Sequence, residues 1–303
     1  MNQGKKERIT THPTGGVHRH EFNSPSARLG PMYAVILAGG SGTRQRPLSG
    51  HERSLTFARQ SDGRTLLQRT VERLAPLIDP MDITVVTDAR FGQTVREQLP
   101  EAVILTEPMN RHTAASIVLA TVVLDRPERD VMLVLSTDHV IDQEAAFRQT
   151  LATAERELTR SAGGITRPLL TFGVRPSAPD PEFSWIRPRQ HDGFRAGGLR
   201  AYPVDGIEAK PEDGRARTLF AGGTAYWNAG IFLWQRGAIR EAIERYTPLL
   251  TMIEPAWRSE IALGGAYDRL QPLSIDEAVL TGAARDGGVL MAALDVGWSA
   301  VTA

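Results

Sequence analysis

The chain has 303 residues, 35 basic and 35 acidic side chains, no cysteine, and is 41% hydrophobic. Balanced charge argues against a coat for nucleic acid or an anionic membrane, and the lack of cysteine removes disulfides, thiolate metal sites and cysteine nucleophiles together. No apolar run approaches the roughly 20 residues of a membrane-spanning helix, so the composition predicts a soluble, cytoplasmic globular protein. Lysine is nearly absent: only Lys5, Lys6 and Lys210 occur, and every other cation is arginine.

Residues 1–30 are rich in Gly, Pro, Ser, Thr and His and show no apolar periodicity. Lys5, Lys6, Arg8, Arg19 and Arg28 against Glu7 and Glu21 give this segment a net charge of +3, leaving −3 for residues 31–303. It lacks the apolar stretch of a signal peptide and reads as a disordered basic tail. His18 and His20 form a polar His-x-His pair, too few ligands for a metal site by themselves.

From residue 31 strands and helices alternate. Tyr33–Ala38 is a continuous apolar run, as expected for a strand buried on both faces. Thr65–Leu77 has helical spacing, Ile83–Thr87 and Val103–Leu105 read as strands, and Thr113–Leu124 as a helix. Val131–Leu135 is a further buried strand, Gln143–Leu158 a helix and Leu169–Val174 a strand. This rhythm predicts an α/β fold, a mostly parallel sheet with helices on both faces. In such sheets ligands sit outside the carboxyl ends of the strands, which directs attention to the loops after Ala38, Leu105 and Leu135. Beyond about residue 175 the pattern loosens into Pro- and Gly-rich sequence, then resumes with Ile231–Trp234 and two helical stretches. That half is expected to extend the same sheet. Trp227, Phe232 and Trp234 are expected in the core.

The first loop reads Leu37-Ala38-Gly39-Gly40-Ser41-Gly42-Thr43-Arg44, then Pro47-Leu48-Ser49. Three glycines let backbone N–H groups approach an anion, and Arg44 adds a guanidinium that matches phosphate oxygens. Neither familiar phosphate motif fits, because position 45 is Gln where a dinucleotide fingerprint has its third glycine, and no G-K-[ST] is present. A tight strand-to-helix turn with a surface arginine is the alternative.

TLLQRT, EPMNRHTAA, STDHVI, LLTFGV-x-P, AKPED, YWNAGIFLW, SIDEAVL and DVGWS follow LAGGSGTR-x-x-PLS in that order. Over about residues 32–301 the series resembles the bacterial mannose-1-phosphate guanylyltransferases, within the nucleotide-diphospho-sugar pyrophosphorylases. The resemblance implies one Rossmann-like nucleotidyltransferase domain over residues 31–303. It implies Mg²⁺-dependent in-line transfer of GMP from GTP to α-D-mannose 1-phosphate, yielding GDP-mannose and pyrophosphate. Leu37, Ala38, Gly39, Gly40, Gly42, Thr43 and Arg44 would cradle the triphosphate. Glu107, Arg111 and Thr113 would lie in the base-recognition segment, where Glu107 would accept from guanine; an Arg111–Glu107 ion pair or a helix cap at Thr113 are the alternatives. Asp138 would hold Mg²⁺, Lys210 would meet the sugar phosphate, and Asn228 and Gly173 would lie near the sugar. Arg44, Asp138 and Lys210 would form the catalytic set, His139 would be a hydrogen-bonded loop histidine, and self-association is a further expectation. In a chain that otherwise avoids lysine after its sixth residue, keeping Lys210 favours a role that arginine cannot fill.

Four departures stand against these matches. The family's Pro-Lys pair after PLS is Ser54 and Leu55 here, with Arg53 out of register. The glutamate before the lysine is Ala209, with Glu208 alongside it, and a family glycine is Ser184. The second metal-holding aspartate is Ala300, with Asp295 five residues upstream. Two functional readings follow: a divergent nucleotidyltransferase, and a catalytically impaired paralogue that binds nucleotide or nucleotide-sugar and regulates a partner. A third, a dinucleotide-dependent oxidoreductase, fails on the missing glycine.

Overall fold

The computed structural model describes residues 32–39 and 55–301. The tail expected over residues 1–30 lies outside them. The first half is built from β1 (Met32–Leu37), α1 (Leu66–Leu74), β2 (Ile83–Asp88), α2 (Gly92–Gln98), β3 (Val103–Glu107), α3 (His112–Val123) and β4 (Val131–Ser136). Then come β5 (His139–Ile141), α4 (Glu144–Leu158), the short pair β6 (Ser161–Ala162) and β7 (Ile165–Thr166), β8 (Leu169–Val174), β9 (Trp185–Pro188), β10 (Phe194–Ala196) and β11 (Leu199–Glu208). The last elements are α5 (Asp213–Ala221), β12 (Tyr226–Gln235), α6 (Arg236–Tyr246), α7 (Leu249–Ile253), α8 (Glu260–Asp268), a π-helical turn at Asp276–Leu280, α9 (Thr281–Arg285), β13 (Val289–Ala293) and β14 (Trp298–Ala300).

One sheet carries the molecule, in the order β10-β11-β13-β8-β12-β4-β1-β2-β3, with β9 joined to β11 and β12. As expected, the second half extends the sheet of the first. The four strands β4, β1, β2 and β3 are parallel, and so are β8 and β13. Strand β12 enters antiparallel between β4 and β8, and β11 runs antiparallel to β13, β10 and β9, so the complete sheet is mixed.

Alternate residues of β1 serve opposite layers, which is why its sequence is apolar throughout. Tyr33, Val35 and Leu37 pack with α3, α6, α7 and α8, while Met32, Ala34 and Ile36 pack with α1, α2 and α4. Helix α3 is buried almost all round, as its uniformly apolar sequence requires. Helix α1 starts with a Thr65/Gln68 capping box. It stops at Leu74 instead of running to Leu77, because Pro76 has no N–H to continue the ladder.

Two features hid the second half from periodicity. Strand β11 contains Pro203 and shifts register between Val204 and Gly206. Strand β12 shifts register between Asn228 and Phe232, around Gly230 at φ 69°. Each irregularity interrupts a period-two pattern. A small third cluster, Phe183, Trp185, Ala216, Leu219, Ala225 and Trp227, packs under α5, with Trp298 and Ala300 against it. Trp227, Phe232 and Trp234 are all buried.

Candidate functional site

The carboxyl ends of β1, β2, β3 and β4 meet at one rim of the sheet. Leu37 ends β1, paired with Val86 on one side and Ser136 on the other. Ala38 continues the ladder, its N–H donating to Val86 and its carbonyl accepting from Thr87 Oγ1 at 2.5 Å. At Gly39 a Cβ would stand 3.0 Å from the Asp88 backbone nitrogen and 3.3 Å from Thr87 Cα, so only glycine lets the chain leave β1 this close to β2. Gly40, Gly42, Thr43 and Arg44 lie outside the described residues, as do Arg53 and Ser54.

The chain returns at Leu55, where Thr56 and Thr137 share a buried hydrogen bond of 3.0 Å. Leu55, where the resemblance expects a lysine, thus precedes a residue bonded to the neighbour of Asp138. On the other side, β14 pairs antiparallel with β5, setting Ala300 opposite His139, and Val301 donates its N–H to the Asp138 carbonyl at 2.8 Å. Leu55 and Ala300, far apart in sequence, are thus each followed by a residue bonded at or beside Asp138, Thr56 to the Thr137 hydroxyl and Val301 to the Asp138 carbonyl. Asp138 Oδ1 is buried with no hydrogen-bond partner among the described residues. His139, also buried, lies with Nε2 3.7 Å from that oxygen and its ring 5.6 Å from Trp298.

An orphaned buried carboxylate oxygen is costly unless a cation or donor meets it. Mg²⁺ is commonly bound by one or two carboxylates together with phosphate oxygens, so Asp138 fits as a single protein ligand. Among the described residues no group of three His, Asp or Glu side chains is arranged to hold a metal. Any ion at Asp138 would therefore depend on phosphate oxygens for most of its shell.

Glu107 ends β3, paired with Asp88 at the end of β2. It is buried; Oε2 accepts from Ser116 at 2.7 Å and Oε1 from Tyr267 at 3.0 Å. Burial pushes its carboxyl up to about 7, and Asp88 adds in the same direction against the two hydroxyl donors. Neither alternative for this segment is present. Arg111 donates to the Tyr267 carbonyl at 2.7 Å, and Thr113 lies inside α3, its hydroxyl accepting from Ile275 N–H at 2.9 Å. Arg111 and Thr113 thereby fasten the start of α3 to residues 267–275. Glu107 ties β3 to α3 and α8, with both oxygens turned inward.

Asn228 lies at the β12 irregularity, in register with Gly173. Its Oδ1 accepts from Thr171 Oγ1 at 2.7 Å and Gly230 N–H at 3.2 Å, and its Nδ2 donates to Asp276 at 2.8 Å. One N–H of the amide is left for a ligand. Ser184, standing where the family has glycine, also hydrogen-bonds Asp276. Burial pushes that carboxyl up to about 6. Asp276 lies in the SIDEAVL block, where it stands beside a second carboxylate, Glu277, and nothing in the spacing distinguishes the two. Gly173 is a packing position, where a Cβ would run into the Met291 side chain and come within 3.1 Å of Tyr226 Cβ.

Lys210 follows β11 in the left-handed region at φ 39°, exposed, with Nζ 3.3 Å from Glu182. Glu208 is held by Arg215 at 2.6 Å and Arg187 at 3.0 Å, and these arginines keep its carboxyl below the usual range. It is a bridging group between β9, β11 and α5, not a substitute for a carboxylate at Ala209.

A sheet that brings the glycine at the exit of β1, the ends of β2 and β3 and the Asp138 carboxylate to the carboxyl ends of its parallel strands is the framework of a nucleotidyl transferase. The chain belongs to that family, whose model, Nucleotidyl transferase, matches residues 33–262. It is similar to the alginate biosynthesis protein AlgA of Pseudomonas aeruginosa, 32% identical over 222 residues, covering 71% of this chain and 44% of that protein. The mannose-1-phosphate guanylyltransferase of Escherichia coli K12 is 31% identical over 286 residues, covering 89% of this chain and 58% of its own length. The chain thus spans about half the length of the curated relatives it matches. Among solved structures, mannose-1-phosphate geranyltransferase from Thermus thermophilus superposes with a TM-score of 0.74 at 28% identity, covering 89% of this chain and 76% of that one. The fold is that of the nucleotide-diphospho-sugar transferases. No helix among the described residues is long and apolar enough to cross a membrane.

Proposed function

We propose that the chain is a mannose-1-phosphate guanylyltransferase, joining GTP and α-D-mannose 1-phosphate into GDP-mannose with release of pyrophosphate. The observation that carries this reading is the orphaned Asp138 oxygen at the rim where Gly39 leaves β1, in a chain 31% identical to a guanylyltransferase. An oxygen of the sugar phosphate bonds to the α-phosphorus as the bond from that phosphorus to the pyrophosphate oxygen breaks. The nucleophile is ionised at neutral pH, so the site needs positioning and positive charge and no general base. A bound Mg²⁺ supplies charge neutralisation on the phosphates. Asp138 would hold the ion, and the loop from Gly39 through Gly40, Gly42, Thr43 and Arg44 would cradle the triphosphate. Lys210 would meet the sugar phosphate, after exchanging Glu182 for it. Asn228 would offer its remaining N–H to a sugar oxygen. GTP and the hexose phosphate are the partners, nucleic acid and membranes are not, and the reaction belongs in the cytoplasm; self-association accompanies the reading without a residue assigned to it.

Ala300 favours a second reading, a paralogue that binds nucleotide or nucleotide-sugar and regulates a partner. By the resemblance it stands where the family has its second metal-holding aspartate, and Leu55 and Ala209 remove two more polar groups. Each lost transition-state interaction typically costs on the order of 10²–10³ in rate. Pyrophosphate release from GTP, mannose 1-phosphate and Mg²⁺ tests both, alongside the Leu55→Lys, Ala209→Glu, Ala300→Asp triple variant. Wild-type turnover on the order of 1–10³ s⁻¹ supports the enzyme; a silent wild type and triple variant that both bind GDP-mannose support the paralogue.

A further inference from the structure

At the opposite edge of the sheet, strands β10 and β11 form a hairpin closed by Gly197 and Gly198, both at positive φ (56° and 91°). Such a two-residue turn fixes the register of the strands. The register sets Arg195 directly opposite Arg200. Like charges in that relation destabilise a strand pair. Among the described residues neither arginine forms an ion pair; Arg195 reaches only the Gly198 carbonyl, at 3.4 Å. Their neighbours differ, since Arg187 and Arg189 have carboxylates at 3.0 and 2.9 Å.

Both guanidiniums open onto a recess of about 300 Å³ lined also by Gln190, Gly193, Phe194 and Tyr202. Residue 193 is glycine where the Tyr202 ring packs against it: a Cβ there would stand 2.5 Å from that ring. Tyr202 forms its floor, 6.3 Å from the ring of Tyr226, over which Arg175 lies at 4.3 Å. Two exposed arginines, an amide and an aromatic ring are therefore gathered where no carboxylate among the described residues pairs with either arginine. Six strand steps separate β10 from β1, roughly 30 Å at normal strand spacing.

We propose that this recess is a second anion-binding site, in which Arg195 and Arg200 together hold the phosphate of a small phosphorylated molecule whose body rests on Tyr202 and Gln190. Paired guanidiniums match phosphate oxygens in charge and geometry. Edge protection alone would explain charges on an outer strand, but it asks for no particular sign and creates no affinity for phosphate. The site stands apart from the rim of β1–β4 and does not depend on the proposed reaction.

Titration calorimetry of the full chain with inorganic pyrophosphate, at low ionic strength and without Mg²⁺, tests it. Arg200→Glu converts the repelling pair into an ion pair, so its melting temperature should equal or exceed that of the wild type while the affinity for pyrophosphate at this site falls at least tenfold. Arg200→Gln, which removes the charge without a new pairing, should show the same loss. Lys210→Ala, at the other site, should keep the binding. Wild-type chain that binds no pyrophosphate, binding undiminished in Arg200→Glu and Arg200→Gln, or loss only in Lys210→Ala would each overturn the proposal.

Discussion

Ala300 is the register partner of His139, the residue that follows Asp138, and the next N–H, that of Val301, is bonded to the Asp138 carbonyl. The small β5–β14 sheet therefore ties the strand that carries Ala300 to the backbone at Asp138, with Ala300 opposite its neighbour His139. Substituting Ala300→Asp should supply a second carboxylate. Two nearby carboxylates repel until a cation joins them, so the variant should melt lower than wild type without Mg²⁺ and gain more stability when Mg²⁺ is added. Calorimetry in the presence of nucleotide should show Mg²⁺ bound at least tenfold more tightly; unchanged affinity would place the ion away from Asp138.

Glu107 predicts a pH dependence of stability. Its folded carboxyl titrates at about 7 against an ordinary 4.5, so the native state binds more protons than the unfolded chain between those values. Stability contributed by this group accordingly falls as pH rises from 4.5 to 7 and is level beyond, with a total change of about 3 kcal/mol at most. Urea unfolding at pH 5 and pH 7.5 should show that fall in wild type and a smaller one in Glu107→Gln. Equal falls would mean that another group carries the dependence.

Asp276 anchors Asn228. Removing it with Asp276→Ala leaves the Asn228 amide and the Ser184 hydroxyl without their acceptor in a buried place. Each unsatisfied group costs about 1–3 kcal/mol, so equilibrium unfolding should show a loss in that range or above it. Asp276→Asn keeps an acceptor oxygen and should lose less. If Asn228 serves the sugar, Asp276→Asn should also raise the KM for the sugar phosphate more than that for the nucleotide.

Gly39→Ala forces a methyl group against the backbone of Thr87 and Asp88, atoms that cannot turn aside as a side chain would. Overpacking of this kind costs about 1–3 kcal/mol. The exit of the chain from β1 should shift with it, so fluorescence titration with GTP should show weaker binding than wild type. Unaltered stability and binding would mean that β2 yields freely.

Several elements were legible in the residues alone because their physics is local. The apolar run of β1, the helical period of α3 and α4 and the glycines after Ala38 each state a local preference, and the ordered blocks carried the family. Glu107 was legible as a residue and not as an environment. Its neighbours Ser116 and Tyr267 come from α3 and α8, and their effect on its charge needs the packed helices. The same holds for Asp276, buried where its π-helical turn packs on the neighbouring helices and β11 and accepts from Asn228 of β12. Strand β11 escaped notice because Pro203 and the shift after Val204 break its alternation, while its three partner strands hold it extended.

The ordered motif blocks and the alternation of strand and helix are properties of the sequence, and they were enough to determine the family and the sheet that carries it. That Thr56 and Val301 both bond to the segment around Asp138, and that Arg195 faces Arg200 across a hairpin, was decided only by the tertiary structure. Hydrogen-bond registers and sheet order bring together residues that the chain keeps far apart, and the burial they create sets the charge of Glu107 and Asp276; neither effect is encoded in the spacing of residues along the chain.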